Sequence, residues 1–437
     1  RSRVKTHQDP IIVEYLDELI QKLLVNNPHH FKTLSFILVD NPEINAFAVP
    51  GGIMGINLGV FLSAQSEGQL ASIIAHELAH LSERHHARML SQSKQQKLPV
   101  YTGLLLGMAL AAAGSAEGAQ AVIASTQAAA IHSKLRFSRT FEQEADSAGL
   151  RNLIASGYQK SDMVAMFDVL NTQAGHHSIN NKPLEYLLTH PLPDSRINRL
   201  KQLNLGAQEN SKARPSNRSF QLLKTLTELH YQRQTRVNSL SYRNRLRALN
   251  PRTSPLKHQA AQFGLAAALV EEGNTTQALS TLRTLIAQQP GESIYQAYYI
   301  RTLIKARQYT TALAYIARQP QHSSRYAMSL LTVQALNGDQ QHAAAQQRLF
   351  SLLKHHSDQP LVWHMLAETS GKMNDRVQLH ESRAEYYVLM GRLKAAQQQL
   401  DYALKLNTLV PGRKSALLNR LSTIKALIKE RQKLGFN

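Results

Sequence analysis

At 437 residues the chain is about three times the length of a typical domain of about 150 residues, so two or three separate cores are expected and a lone peptide module is excluded. With 43% apolar and 18% charged residues, 21 Gly and 15 Pro, it has the composition of a globular chain, not a disordered or fibrous one. Fifty Lys+Arg against 30 Asp+Glu leave a formal charge of +20, which suits a polyanionic partner or an anionic membrane face; the absence of cysteine excludes disulfides and thiolate chemistry, so any metal must be held by His, Asp or Glu.

The polar start Arg1-Ser2-Arg3-Val4-Lys5 has no basic stretch before an apolar run, so no signal peptide is visible. Asp9-Pro10 reads as an N-cap followed by a first-turn proline, opening a helix that runs through Leu24. Leu34 to Val39, Asn45 to Val49 and Ile53 to Asn57 read as short strands, separated by the turn residues Asp40 to Glu43 and Pro50-Gly51-Gly52. Ser66-Glu67-Gly68-Gln69 resembles a capping box, and the helix it starts is expected to run unbroken from Leu70 to about Leu90.

Leu98 to Ala113 is the most apolar stretch, but its 16 residues with Pro99, Gly103 and Gly107 fall short of the roughly 20 needed to span a bilayer. It reads as a buried helix, or as a membrane-dipping hairpin with the Ala-rich Ala119 to Ala130. Gly206 to Ser219 has linker composition, giving an expected division into residues 1–205, a linker 206–219 and a second domain 220–437. Residues 211 to 258 carry 11 Lys+Arg against Glu228 alone, half of the excess charge. No recognition motif or aromatic-rich basic sheet accompanies that charge, so nucleic acid is not expected as a partner; a membrane surface, lipopolysaccharide or an acidic protein fits it as well.

Beyond residue 258 the chain repeats itself. Ala312 follows Ala278 by 34 residues, with Tyr299, Leu303 and Ile316 in matching places and weaker copies around Gly338, Trp363 and Gly391. Thirty-four residues is the tetratricopeptide period, so the tail is expected to be stacked helical hairpins with a groove for a peptide or partner helix. The basic residues 219 to 250 would form an atypical first hairpin. Any β-sheet beyond about residue 220 would overturn this reading.

His76-Glu77-Leu78-Ala79-His80 is an H-E-x-x-H motif on a helix, where i, i+4 spacing puts both imidazoles on one face with Glu77 beside them. The 19 His and 19 Glu of the chain give an expected chance occurrence of roughly 0.04. Two imidazoles suit zinc, one ion per chain, and Glu77 can take a proton from water at the metal as it attacks a peptide carbonyl. A third ligand is needed. His86 is one candidate by the metzincin spacing, although Glu83 stands where that pattern has its helix-breaking glycine. The other lies in Glu142-Gln143-Glu144-Ala145-Asp146, where Glu142 and Asp146 share a helix face, Glu142 to ligate and Asp146 to hydrogen-bond a ligand imidazole; Glu144 would point into solvent.

These residues, with Asn45-Ala46-Phe47-Ala48-Val49-Pro50-Gly51-Gly52, an E-x-x-A-D match at Glu142 to Asp146, and His190-Pro191 followed by Arg196-Ile197, resemble the gluzincin family that includes HtpX and the CAAX prenyl protease. The tetratricopeptide tail and the lack of long transmembrane helices resemble its periplasmic branch. The resemblance implies a periplasmic zinc endopeptidase, with a signal peptide removed before Arg1. Its work would be quality control and assembly of outer-membrane proteins, including the lipopolysaccharide transporter LptD and clients of the barrel-assembly machinery. It also places His190 near the metal, as a fourth ligand that keeps the enzyme latent or as a donor to the tetrahedral intermediate; the alternative is a loop histidine that caps a neighbouring helix. Without cysteine, no disulfide between domains carries over.

The resulting expectation is a mainly α chain, with a zincin-like metallopeptidase domain containing a small β-sheet followed by an α-solenoid of tetratricopeptide repeats. Substrate would add as a strand beside Asn45, Ala46, Phe47, Ala48 and Val49, and the repeats would recruit unfolded outer-membrane proteins or the assembly machinery. The alternative is a non-proteolytic assembly chaperone that works through its repeat groove with a latent zinc site.

Overall fold

The structure is a computed structural model that describes residues 5–27, 34–49, 51–92, 139–179, 184–203, 217–232, 239–319, 325–406 and 410–433. It comprises two compact units, Arg3–Gly264 and Leu265–Asn437.

In the first unit, helix α1 (Pro10–Val25) starts where the Asp9 carboxylate accepts a hydrogen bond from the Ile11 N–H and Pro10 fills the first turn. Its stripe of Ile12, Leu16, Leu19, Ile20 and Leu23 is buried. Strands β1 (Ser35–Val39), β2 (Ala46–Val49) and β3 (Ile53–Asn57) form one sheet in the order β1-β3-β2, with β1 parallel and β2 antiparallel to β3. That order leaves β2 on an edge. Phe47 pairs with Gly55 across the strands, and its ring occupies the space a Cβ at position 55 would need; only glycine lets the ring lie over the sheet there.

After α2 (Leu58–Ser63), α3 (Glu67–Ser82) begins with Ser66 Oγ accepting from the Gln69 N–H. It is buried from Gly68 through His80, as befits a helix surrounded by others. The helix does not run to Leu90 as expected. Arg84 adopts φ 52°, a left-handed turn closed by hydrogen bonds from the Glu83 N–H to Ala79 O and from the Arg84 N–H to Leu81 O, and α4 (His85–Gln92) starts a new direction. Sequence gave no warning because an arginine, not a glycine, takes the strained conformation.

Helices α5 (Arg139–Ala155), α6 (Lys160–Ile179), α7 (Glu185–Thr189) and α8 (Asp194–Gln202) follow. α5 lies along α3 at close range, since a Cβ at Gly149 would stand 3.1 Å from Ala75 O and 3.2 Å from His76 Cα. Helix α9 (Arg218–Gln232) packs on α2, with Phe220 stacked on Phe61 at 6.3 Å and Lys224 Nζ donating to Ala64 O at 2.7 Å; α10 (Ser239–Ala248) comes next. These contacts extend the unit past 206–219, where the division was expected. Residues 204–216 and 93–138, the latter including Leu98 to Ala130, lie outside the described residues. Among the described residues no helix is long and apolar enough to cross a membrane.

Helix α11 (Pro255–Glu271) leads into the second unit, which continues as α12 (Thr275–Gln288), α13 (Ser293–Lys305), α14 (Tyr309–Ala317), α15 (Tyr326–Gly338), α16 (His342–Leu353), α17 (Pro360–Lys372), α18 (Arg376–Leu389), α19 (Leu393–Leu404) and α20 (Pro411–Lys433). The described residues here contain no strand. Left-handed residues recur at Gly273, Arg307, Gln340 and Asn374, steps of 34, 33 and 34, each between the two helices of a hairpin. Ala278, Ala312 and Ala345 are fully buried at matching places. The fold is therefore the mainly α one expected, a zincin-like unit with a small sheet followed by an α-solenoid.

The α3–α5 contact yields a direct test. Gly149→Val meets backbone atoms that cannot swing aside, so it should cost about 1–3 kcal/mol and lower the thermal unfolding midpoint. Gly175→Ala, where nothing lies within 4 Å, should leave the midpoint unchanged or raise it; equal behaviour of the two variants would place α5 elsewhere.

Candidate active site

Three segments converge on one buried spot. α3 contributes His76, Glu77 and His80, α5 contributes Glu142 and Asp146, and the turn after α7 contributes His190; all six are buried. The i, i+4 spacing on α3 aims both imidazoles at α5. His76 Nε2 and His80 Nε2 are 3.0 Å apart, and they lie 3.5 Å and 3.4 Å from the two Glu142 oxygens. His190 Nδ1 stands 3.4 Å from His76 Nε2 and 3.1 Å from Glu142 Oε1. One donor atom from each of His76, His80, Glu142 and His190 lies within 4.8 Å of all the others. Ligand atoms around a tetrahedral zinc-like ion are separated by about 3.3 Å, so these residues fit a metal.

Arg196, on α8, holds the carboxylates in place. Its Nε and Nη2 donate to the two oxygens of Asp146 at 2.8 and 2.7 Å, its Nη1 lies 2.7 Å from Glu142 Oε2, and the same nitrogen donates to Pro191 O at 2.6 Å. One guanidinium thus neutralises both acids of α5 and pins the loop that carries His190. Asp146 Oδ1 lies 3.1 Å from His76 Nδ1, on the far side of that ring from the cluster. Burial works against the charge on His76, yet hydrogen bonding to Asp146 and Glu142 outweighs it and raises the imidazole to about 9. Burial, together with the neighbouring His76 and His190, drives His80 well below the ordinary histidine range against the pull of Glu142. Burial would raise Glu142, but the neighbouring His190, His76 and His80 hold it well below the usual carboxylate range.

Glu77 faces a different side. Its Oε1 lies 3.5 Å from His190 Nε2 and accepts a long hydrogen bond from the Tyr186 hydroxyl at 3.4 Å, and burial raises its carboxyl. Tyr186 also stacks on His190 at 4.8 Å. A cleft of about 360 Å³ opens beside Glu142 and Arg196, lined by Arg139, Gln143, Leu187 and Leu192 among others.

The break at Arg84 changes the roles open to the next two histidines. His85 turns back so that its Nδ1 lies 3.0 Å from His80 Nδ1, while its Nε2 lies 3.0 Å from Glu144 Oε2. Glu144 keeps a side chain 36% exposed, as expected of a solvated carboxylate, while Arg88 pairs with it at 2.5 Å and His85 Nε2 lies 3.0 Å away. His86 lies outside the donor group and bonds to the Ala48 backbone. Ala46 to Val49 form the edge strand β2, and Asn45 Nδ2 donates to Glu185 Oε2 on α7 at 3.3 Å, linking that edge to the segment that presents His190. Sequence reasoning passed over Tyr186, one helical turn before His190, and the role of Arg196 as counter-ion. The first had no motif to mark it, whereas the arginine stood in the His-Pro segment already singled out.

A family model described as Peptidase family M48 matches residues 10–204, the span that holds every residue of this cluster. The chain is 30% identical to the beta-barrel assembly-enhancing protease of Escherichia coli K12 over 98% of its own length and 86% of the relative's. The chain belongs to peptidase family M48. A putative beta-barrel assembly-enhancing protease of Vibrio cholerae is 36% identical over 43% of the chain and 38% of the relative. The mitochondrial metalloendopeptidase OMA1 of Arabidopsis thaliana is 26% identical over 40% of the chain and 33% of the relative. The protein is a metallopeptidase, and its buried His and Glu group can bind a metal.

The buried pairing offers a stability test. Arg196→Met removes the counter-ion of two buried carboxylates, and breaking a buried pair costs about 3–5 kcal/mol. The variant should unfold at clearly lower temperature in the metal-free state; an unchanged midpoint would mean that Arg196 does not compensate Glu142 and Asp146.

Proposed function

We propose that the chain is a periplasmic zinc endopeptidase that acts on stalled outer-membrane β-barrel proteins, with its peptidase chemistry within residues 1–205 and its repeats recruiting clients or assembly machinery. The observation that carries this reading is the set of four converging donors beside a buried carboxylate. His76, His80 and Glu142 would hold one zinc ion, with Asp146 orienting His76. When bound, zinc supplies a Lewis acid for the scissile carbonyl and acidifies water.

The chain's own groups do the rest. Glu77, raised by burial, accepts the proton of the attacking water and passes it to the departing amine. An extended substrate adds beside Asn45, Ala46, Phe47, Ala48 and Val49, because among the described residues β2 pairs with a strand on one side only and such an edge can take another strand, in place of the His86 bond to the Ala48 backbone. The similarity to the Escherichia coli beta-barrel assembly-enhancing protease spans nearly the whole chain, which supports the client class.

His190 is proposed as the latch. Its Nδ1 sits 3.1 Å from Glu142 Oε1 and 3.4 Å from His76 Nε2, a position suited to a fourth ligand, and Pro191 and Pro193 limit the loop entropy lost in holding it there. This contact favours a resting state in which the zinc is blocked and the protein works as a chaperone until His190 is displaced.

Glu77→Gln should retain zinc and the fold while peptide hydrolysis falls by at least about 10²; retained hydrolysis would remove Glu77 from the mechanism. Glu142→Ala should sharply weaken zinc binding in a metal-competition assay, and unchanged affinity would shift the ligand to another acid. His190→Ala should raise proteolysis, self-cleavage included, with zinc still bound. A loss on the order of 10² instead would make His190 a stabiliser of the oxyanion, and no change would exclude both roles.

A further inference from the structure

Among the described residues only one other place gathers three metal-ligating side chains. A ring nitrogen of His7, a ring nitrogen of His230 and a carboxylate oxygen of Asp40 all lie within 4.8 Å of one another. The group shares no residue with the peptidase cluster. We propose that it is a second transition-metal site, taking zinc or a similar borderline-soft divalent ion, that staples α9 and the N-terminal segment to the catalytic sheet.

Each ligand is positioned by a different element, and none of the tethers requires the ion. Thr6 bridges Val39, the His7 N–H donates to Leu38 O at 2.8 Å and the Asp40 N–H to Lys5 O at 2.8 Å, so His7 and Asp40 are fixed side by side at the end of β1. His230 arrives on α9, which is anchored at its other end by the Phe220–Phe61 stack and the Lys224 bond to Ala64 O. The His7 and His230 rings meet edge to face at 4.8 Å. A site assembled before its ion arrives loses little conformational entropy on binding.

The donor set selects the ion. Two imidazoles and one carboxylate suit zinc, copper or nickel and are poor ligands for magnesium or calcium, which take oxygen. His230 Nε2 lies 2.8 Å from Asp40 Oδ1, so a small opening would bring the pair to the spacing of about 3.3 Å between ligands of one tetrahedral ion. The Asp40 carboxylate is already oriented, with Lys5 and His230 on its two oxygens. Lys5 Nζ occupies the other oxygen at 2.7 Å, with its side chain 72% exposed, and can swing into water as the ion takes over the charge. The His230 side chain is 28% exposed, enough for water to reach the ion and complete its coordination.

The alternative is an ion pair and nothing more, and metal counting separates the two. The full chain, stripped with chelator, reloaded with zinc and freed of excess, should hold two zinc ions per chain. His7→Ala and His230→Ala should each hold one, and His76→Ala/His80→Ala should also hold one. Zinc added to the His76→Ala/His80→Ala chain should raise its unfolding temperature, and this rise should vanish when His7→Ala is added. If His230→Ala disturbs the packing of α9, His7→Ala, on a peripheral segment, carries the test alone. One zinc in the unsubstituted chain, or two in His7→Ala, would overturn the proposal.

Discussion

The Arg196 guanidinium lies between Asp146 and Glu142, and the rest of the peptidase centre depends on that contact. Two carboxylates one helical turn apart on a buried helix would repel each other and take up protons unless a fixed positive charge compensated them. With Arg196 in place, both stay ionised in the interior, one facing the His76 and His80 side nitrogens and the other backing His76 from behind. Because the same guanidinium donates to Pro191 O, the charge that stabilises the acids also fixes where His190 stands. The two acids and the loop that carries His190 are therefore linked through one side chain, and a change to any of them is expected to be felt by the others.

A second layer of control comes from the chain reversal at Arg84. A helix continuing past Ser82 would carry His85 and His86 away from the centre. The left-handed residue returns His85 to the outer nitrogen of His80 and lets Glu144 and Arg88 hold it there. Both histidines of α3 thus have a neighbour at their outer nitrogen, Asp146 at 3.1 Å for His76 and His85 at 3.0 Å for His80, an arrangement that would orient the rings toward a metal. The strained φ at an arginine, about 1 kcal/mol or more above its relaxed conformation, is maintained at the position where it sets this geometry.

Much of this was legible in sequence because it rests on local periodicity. The i, i+4 spacings of His76 with His80 and of Glu142 with Asp146 dictate which side chains share a helix face, and the 34-residue step shows the helical tail through small residues such as Ala278 and Ala312. The three strands were readable from apolar runs between turn residues, Ile53 to Asn57 to the residue. What escaped depends on contacts between distant segments. Nothing local marks Arg84 as left-handed, Glu144 as the partner of Arg88, or Tyr186 as the neighbour of Glu77, since each is decided by what packs against it. Composition places the basic helix after residue 217 with the repeats, whereas Phe220 and Lys224 hold it on α2, a pairing that neither charge nor spacing announces.

The central claim is that α3, α5 and the loop after α7 form one four-donor metal centre. Crystals of the zinc-loaded full chain, measured on both sides of the zinc absorption edge, test it most directly. An anomalous peak within ligand distance of His76 Nε2, His80 Nε2 and a Glu142 oxygen, with His190 Nδ1 at the fourth position in the resting enzyme, is the expected result. A peptidase-site ion ligated by His85 and Glu144, or no anomalous density between α3 and α5, would contradict it.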